Sequence, residues 1–282
     1  MTWTIARMLR WMQEDFAGRG VDNPRLDAEL LLAHALEVER IRLYLDLERP
    51  LTATELDAIR ALVKRRRARE PVAYILGYRD FWGRRFRVTP AVLIPRPDTE
   101  TLVEQALGRL EGDAVDVLDL CTGSGCVAVS IACERPKARV VATDISEEAL
   151  AVARENASAL GAEVRFALGD LFGDERGPFD LVTANPPYVR QDELGTLQPE
   201  VVEHEPTLAL VAGPTGLEFY ERLAPMAFER LRRGGHLLVE VGAGQAPAVA
   251  ERLSLAGFTD VAAHRDLGGH ARVVAGRRPK KS

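Results

Sequence analysis

Beyond residue 98 the chain alternates repeatedly between short β-branched apolar runs and helix-length segments, and this alternation narrows the available folds more than any other feature. Strand-type runs at 115–120, 139–144, 164–167, 179–184 and 236–241 are separated by helical segments. These helices end near 110, begin after Gly125, span 146–160 and 216–232, and end at Leu255. Repeated βα units of this kind build a mostly parallel sheet with helices on both faces. Two closing strands, near Val261 and at 272–276, are joined by residues 266–270. A parallel crossover needs about a dozen residues or more, so these two form an antiparallel hairpin. The expected fold is α/β, a doubly wound, seven-stranded Rossmann-like sheet over residues 91–282.

The first seventy residues read as helices only, a small all-helical domain. One helix covers 4–18, and Asn23-Pro24 opens a second with an N-cap and a first-turn proline. Thr52-Ala53-Thr54-Glu55 is a capping box that starts a further helix. It ends in Lys64-Arg65-Arg66-Arg67-Ala68-Arg69, cations that offset the helix dipole and are expected to sit in water. Over residues 71–90, aromatic and β-branched residues flank Gly83, which predicts a β-hairpin linker.

With 46% hydrophobic and 28% charged residues, the composition supports one large and one small globular domain. No run approaches the roughly 18 apolar residues of a membrane helix. The chain is therefore read as soluble and cytoplasmic, keeping its N-terminus and without a membrane partner. The formal charge of −5 argues against coating nucleic acid, and no direct nucleic-acid partner is expected. Cys121, Cys126 and Cys133 form no Cys-x-x-Cys pair and have no nearby histidine, so they are read as reduced, buried residues and no metal is expected.

The run Val115-Asp116-Val117-Leu118-Asp119-Leu120 leads into Cys121-Thr122-Gly123-Ser124-Gly125 and then a helix. Such a turn lets backbone approach a ligand, and it lies where doubly wound sheets bind them. Asp144 ends the next strand, where a carboxylate can accept from both ribose hydroxyls. A nicotinamide site shares this geometry but adds a third glycine, absent here. The loop therefore favours a nucleoside without phosphates, such as S-adenosylmethionine.

Asn185-Pro186-Pro187-Tyr188 follows the run 179–184 and forms a rigid loop at the same sheet edge. A planar amide or adenine amine is a weak nucleophile because its lone pair is delocalised. It must be held in line, with its N–H groups drawn to acceptors. The Asn185 side-chain oxygen and the Pro186 carbonyl can accept, and the Tyr188 ring can pack against the flat group. These residues are the candidate catalytic and substrate-binding set.

The chain resembles the HemK/PrmC family, methyltransferases of glutamine in class 1 peptide chain release factors, over nearly its whole length. Besides Asn-Pro-Pro-Tyr, which amino-methyltransferases of DNA share, three stretches carry the resemblance. They are Glu70-Pro71-Val72-Ala73-Tyr74-Ile75-Leu76-Gly77, Val92-Leu93-Ile94-Pro95-Arg96-Pro97-Asp98-Thr99-Glu100, and Glu203-His204-Glu205-Pro206 with Ala209-Leu210 and Gly216-Leu217. The resemblance implies that Thr122, Gly123, Ser124, Gly125, Asp144 and Asn185 bind S-adenosylmethionine, whose product is S-adenosylhomocysteine. Cys121 stands where the family more often has glycine. Leu171 or Phe172 follows Gly169-Asp170 where an aromatic often touches the base, and Leu171 is carried as the candidate. Residues 185–188 would then hold the glutamine of a Gly-Gly-Gln loop, and the helical domain would grip the release factor. The alternatives are methylation of an exocyclic amine in DNA or RNA, or a non-catalytic nucleoside-binding module. Arg96 and Glu100 are candidates for orienting the cofactor's amino-acid end, with Asp98 as a helix cap. Glu203, His204 and Glu205 read as a solvated edge or a partner contact.

Overall fold

The computed structural model describes residues 2–112 and 114–280, and the chain divides into two compact units. The first comprises Met1–Gly77 together with Gln198–His204. Its helices are α1 (Ile5–Ala17), α2 (Pro24–Ala35), α3 (Arg40–Leu45), α4 (Ala53–Arg67) and α5 (Val72–Leu76). Thr4 caps α1, and the box before α4 is complete. The Glu55 N–H donates to the Thr52 hydroxyl at 3.2 Å while the Thr52 N–H donates to the Glu55 carboxylate at 2.7 Å. Met12, Phe16, Leu31, Leu32, Leu43 and Ile59 close the core of this unit. Gly77, at φ +81°, ends α5 in the left-handed region that favours glycine.

The second unit comprises Tyr78–Leu197 and Glu205–Ser282. It opens with the antiparallel hairpin of β1 (Tyr78–Phe81) and β2 (Arg84–Arg87). Then follow α6 (Glu100–Leu107), β3 (Asp116–Leu120), α7 (Cys126–Glu134), β4 (Arg139–Asp144), α8 (Glu147–Leu160), β5 (Val164–Leu168) and β6 (Phe179–Ala184). A two-residue strand, β7 (Val189–Arg190), precedes α9 (Pro199–His204), which belongs to the first unit, and pairs with β8 (Val211–Gly213). The chain closes with α10 (Glu218–Arg230), β9 (Leu231–Glu240), α11 (Ala246–Leu255), β10 (Thr259–Arg265) and β11 (Ala271–Arg277).

The seven-stranded sheet has the order β10-β11-β9-β6-β3-β4-β5. Strands β9, β6, β3, β4 and β5 run parallel, and β11 is antiparallel to both neighbours, as the short final connection requires. From β3 the chain first winds outward to β4 and β5, then returns to place β6 on the other side of β3. The crevice opened by that reversal lies at the carboxyl ends of β3 and β6, where both candidate loops begin. The sequence reading missed β7 and β8, which are too short for an alternation signal. It also started β9 five residues late, because Gly234 and Gly235 interrupt the apolar run.

The cation run at the end of α4 corrects its sequence reading. Arg66 retains only 5% of its side-chain exposure and donates to Asp27 of α2 at 2.8 Å and to Glu200 of α9 at 2.7 Å. Arg69 takes the other Glu200 oxygen at 2.7 Å, Arg67 pairs with Asp15 and Arg65 with Glu70. Gln198 also bonds Asp22. Four arginines thus pair within the helical unit; the solvated reading fails for Arg66 and Arg69 and holds for Lys64, Arg65 and Arg67, whose side chains stay exposed.

Candidate functional site

The glycine turn after β3 is shaped by three residues at positive φ: Cys121 at +55°, Gly123 at +54° and Gly125 at +80°. The two glycines do different work. A Cβ on Gly125 would lie 3.1 Å from Ala153 Cβ, so this residue lets α7 start close against α8. A Cβ on Gly123 would meet nothing within 4 Å, and Gly123 lines a cavity of about 1220 Å³, its open mouth included. Asp144, at the end of β4, accepts from the Gly123 N–H at 2.8 Å and from the Ser146 N–H at 3.0 Å. Burial pushes its pKa up, against backbone N–H donors that favour the anion. Each carboxylate oxygen keeps acceptor capacity beyond its backbone bond.

Beneath the turn lies a carboxyl that sequence reasoning did not single out. Asp119 is 1% exposed and accepts from the Thr122 and Thr183 hydroxyls, each at 2.7 Å. It links the glycine turn to β6, and burial raises its pKa to about 6. Asn156 of α8 braces the same turn from outside. Its amide donates to the Ser124 carbonyl at 2.8 Å and bonds both backbone groups of Arg87.

Asn185 follows β6 and lines the cavity with Pro187, whereas Pro186 and Tyr188 lie outside the lining. Asn185 Nδ2 donates to the Thr99 hydroxyl oxygen at 3.3 Å. Tyr188 packs against the core, where burial pushes its pKa up to about 12. A Cβ on Gly242 would stand 3.0 Å from its ring, so glycine there admits the tyrosine. The Pro-Pro pair fixes the loop, and Gln245 holds its far end through the Tyr188 carbonyl.

The wall facing the glycine turn comes from residues 91–99 and 206–209. Glu205 joins the two stretches: its carboxylate accepts from Arg96 at 2.5 Å and from the Ile94 N–H at 3.1 Å. Its reading as a solvated edge is therefore corrected, since Glu205 is buried. Arg96 lines the cavity, whereas Glu100 accepts from the Trp82 N–H at 2.8 Å and does not. Asp98 makes no cap bond either. A 3-10 turn, Pro97–Thr99, leads into α6, and Asp98 pairs with Arg272 at 2.9 Å.

Leu171, at φ +51°, is part of the lining. Phe172 is fully buried in the core, with the Arg230 guanidinium 5.0 Å from its ring centroid. Of the two candidates, Leu171 is the one at the cavity. Asp170 beside it is paired with Arg222. The structure therefore brings together Cys121, Thr122, Gly123, Ser124, Asp144, Leu171, Asn185 and Pro187, and leaves Gly125, Pro186 and Tyr188 behind the wall. Among the described residues the cysteines are free, and no grouping of three His, Cys, Asp or Glu side chains suits a metal.

Residues 7–77 match the PrmC N-terminal domain and residues 98–205 the methyltransferase small domain. A release factor glutamine methyltransferase from Geobacter sulfurreducens is 48% identical, the match covering 98% of this chain and 97% of that one. The chain belongs to the release factor glutamine methyltransferase family. A second member, from Chlorobaculum tepidum, is 46% identical over 94% of each chain. Among solved structures, a methyltransferase from Pyrococcus furiosus aligns with a TM-score of 0.54 at 20% identity, covering 78% of this chain and 98% of that one. The likeness at that identity is one of fold. A bound nucleoside methyl donor fits the residues present: an open backbone at Gly123, an acidic strand end at Asp144 and an apolar wall at Leu171. None of the described helices is long and apolar enough to cross a membrane.

Proposed function

We propose that this chain methylates the side-chain amide nitrogen of a glutamine in class 1 peptide chain release factors, the glutamine of their Gly-Gly-Gln motif, with S-adenosylmethionine as donor. The observation that carries this reading is that Asn185 and Pro187 line the same cavity as Gly123, Ser124 and Asp144. When bound, S-adenosylmethionine supplies an electrophilic methyl group on a sulfonium sulfur. Asp144 holds the ribose hydroxyls, the backbone of Cys121, Thr122, Gly123 and Ser124 gives close approach, and Leu171 packs against the base.

Asn185 Oδ1 accepts from the amide N–H of the glutamine and orients the nitrogen in line with the methyl group. As that nitrogen pyramidalises, its N–H groups become more positive, and a fixed acceptor binds this arrangement better than the planar ground state. No strong base is required, because the proton becomes acidic only once nitrogen has bonded carbon. Pro187 keeps the loop stiff. The helical unit holds the rest of the release factor, a macromolecular substrate too large for one loop to fix. The cytoplasm, where translation ends, is the expected place of action.

The test is to incubate the whole chain with radiolabelled donor and either an intact release factor or DNA. Label on a glutamine of the release factor supports the reading. Label on DNA alone overturns it.

A further inference from the structure

Glu240 is the last residue of β9, and the parallel register Ala184↔Val239 makes it the strand neighbour of Asn185. It is 2% exposed, and its main chain is fixed by the Tyr220 hydroxyl, which donates to its carbonyl at 2.8 Å. Its carboxyl is within hydrogen-bonding reach of the Thr99 hydroxyl and the Asn185 amide. Among the described residues its Oε2 has no hydrogen-bond partner. A buried carboxyl with an oxygen left unpartnered is unfavourable to the fold, and an apolar residue would fill the space better. Packing therefore gives no reason for an acid here.

We infer that Glu240 is a positioning residue for methyl transfer, an acceptor behind Asn185 that holds its Nδ2 and so turns its Oδ1 toward the arriving amide. This rests on the function proposed above. The Asn185 side chain has two orientations of nearly equal shape, related by a flip that exchanges oxygen and nitrogen. Only one presents an acceptor to the cavity. Thr99 cannot select it, because a hydroxyl both donates and accepts. An ionised Glu240 can only accept, so it selects. It also draws the Thr99 O–H toward itself, leaving a lone pair for Asn185 Nδ2, which is the bond observed.

Protonation gives Glu240 a donor and removes the selection. Its pKa is raised to about 7, chiefly by burial and also by Asp98, against the opposing effects of Thr99, Arg272 and Asn185. Tyr188, Tyr220 and Cys126 also face it, and burial keeps all three neutral at that pH. The acceptor form is therefore lost as pH falls through about 7.

The experiment is single-turnover methyl transfer by the full-length enzyme to an intact release factor, from pH 5.5 to 9, for wild type, Glu240→Gln and Glu240→Asp. The glutamine variant keeps the size but can donate. Its transfer rate should fall about tenfold or more, with cofactor affinity and release-factor KM within about twofold. The wild-type rate should decline below about pH 7, and this limb should vanish in Glu240→Gln. Glu240→Asp, still acceptor-only, should keep more activity than Glu240→Gln despite its greater loss of volume. A wild-type rate without an ionisation near 7, or an undiminished Glu240→Gln rate, overturns the inference alone. A wild-type protein that labels no release factor overturns the function on which it rests.

Discussion

Gln245 donates through its side-chain nitrogen to the main-chain carbonyl of Tyr188 at 2.9 Å, 57 residues away in sequence. The same amide reaches the Gly216 carbonyl at 3.3 Å and accepts from the Gly242 N–H at 3.0 Å. One side chain therefore fixes the end of the Asn-Pro-Pro-Tyr loop to two other turns. Gln245→Leu leaves those groups unpaired and should lower stability by ~1–3 kcal/mol. It should also slow methyl transfer, since Asn185 stands on the loop that loosens. Urea unfolding and a rate assay check both, and an unchanged rate would show that the prolines alone hold the loop.

Asp144 anchors the glycine turn through the Gly123 N–H, and the proposed ribose contact adds a second role. Asp144→Ala should weaken S-adenosylmethionine binding by ~1.5–3 kcal/mol, through loss of charge-assisted bonds to ribose and of the anchor at Gly123. Calorimetric titration measures it, and wild-type affinity in the variant would remove Asp144 from the site.

Asn185→Ala should reduce the methyl-transfer rate by roughly 10²-fold, the scale of losing one preorganised polar group. Tyr188→Phe should be mild, because Tyr188 lies outside the cavity lining. Single-turnover kinetics at saturating donor and substrate separate the two. An Asn185→Ala enzyme of normal rate would falsify the proposed role.

Asp119 makes stability depend on pH in a direction opposite to most carboxylates. Its folded pKa, about 6, exceeds the ordinary aspartate value of 3.8, so the folded state holds the proton more tightly. The resulting stabilisation is present below the unfolded pKa and is lost as pH rises through about 6. Asp119→Asn removes this titration. The wild type should accordingly lose ~1–3 kcal/mol relative to the variant between pH 4 and 7. Urea melts across that range test it, and a pH-independent difference would contradict it.

In the helical unit, Arg66→Met leaves Asp27 and Glu200 without their shared partner. A loss of about 3–5 kcal/mol is expected, the scale for breaking a buried ion pair from one side. Thermal unfolding of the full chain measures it, and a shift no larger than that of an exposed Arg60→Met control would show that water replaces the arginine.

What the sequence disclosed follows from how far each signal reaches along the chain. The run 115–120, the Thr52–Glu55 box and the Asn-Pro-Pro-Tyr loop are contiguous, so pattern and chemistry name them together. Thr99 lies 86 residues from Asn185, and Arg66 lies 134 from Glu200. Periodicity cannot pair residues that meet only through sheet order and helix packing. Glu240 sits at the end of an apolar strand, where a lone acid reads as the start of a turn. Arg66 looked solvated for the same reason, because its carboxylate partners belong to other elements.

The discontinuity of the helical unit bears on how the protein is made. Residues up to Gly77 leave the ribosome about 120 residues ahead of Gln198–His204, which complete that unit. At ordinary elongation rates the interval is on the order of ten seconds. Throughout it Arg66 lacks Glu200 and the early helices are an unfinished body. These helices therefore cannot reach their final state until after β6 is made, and the nascent chain carries them incomplete through synthesis of the central strands.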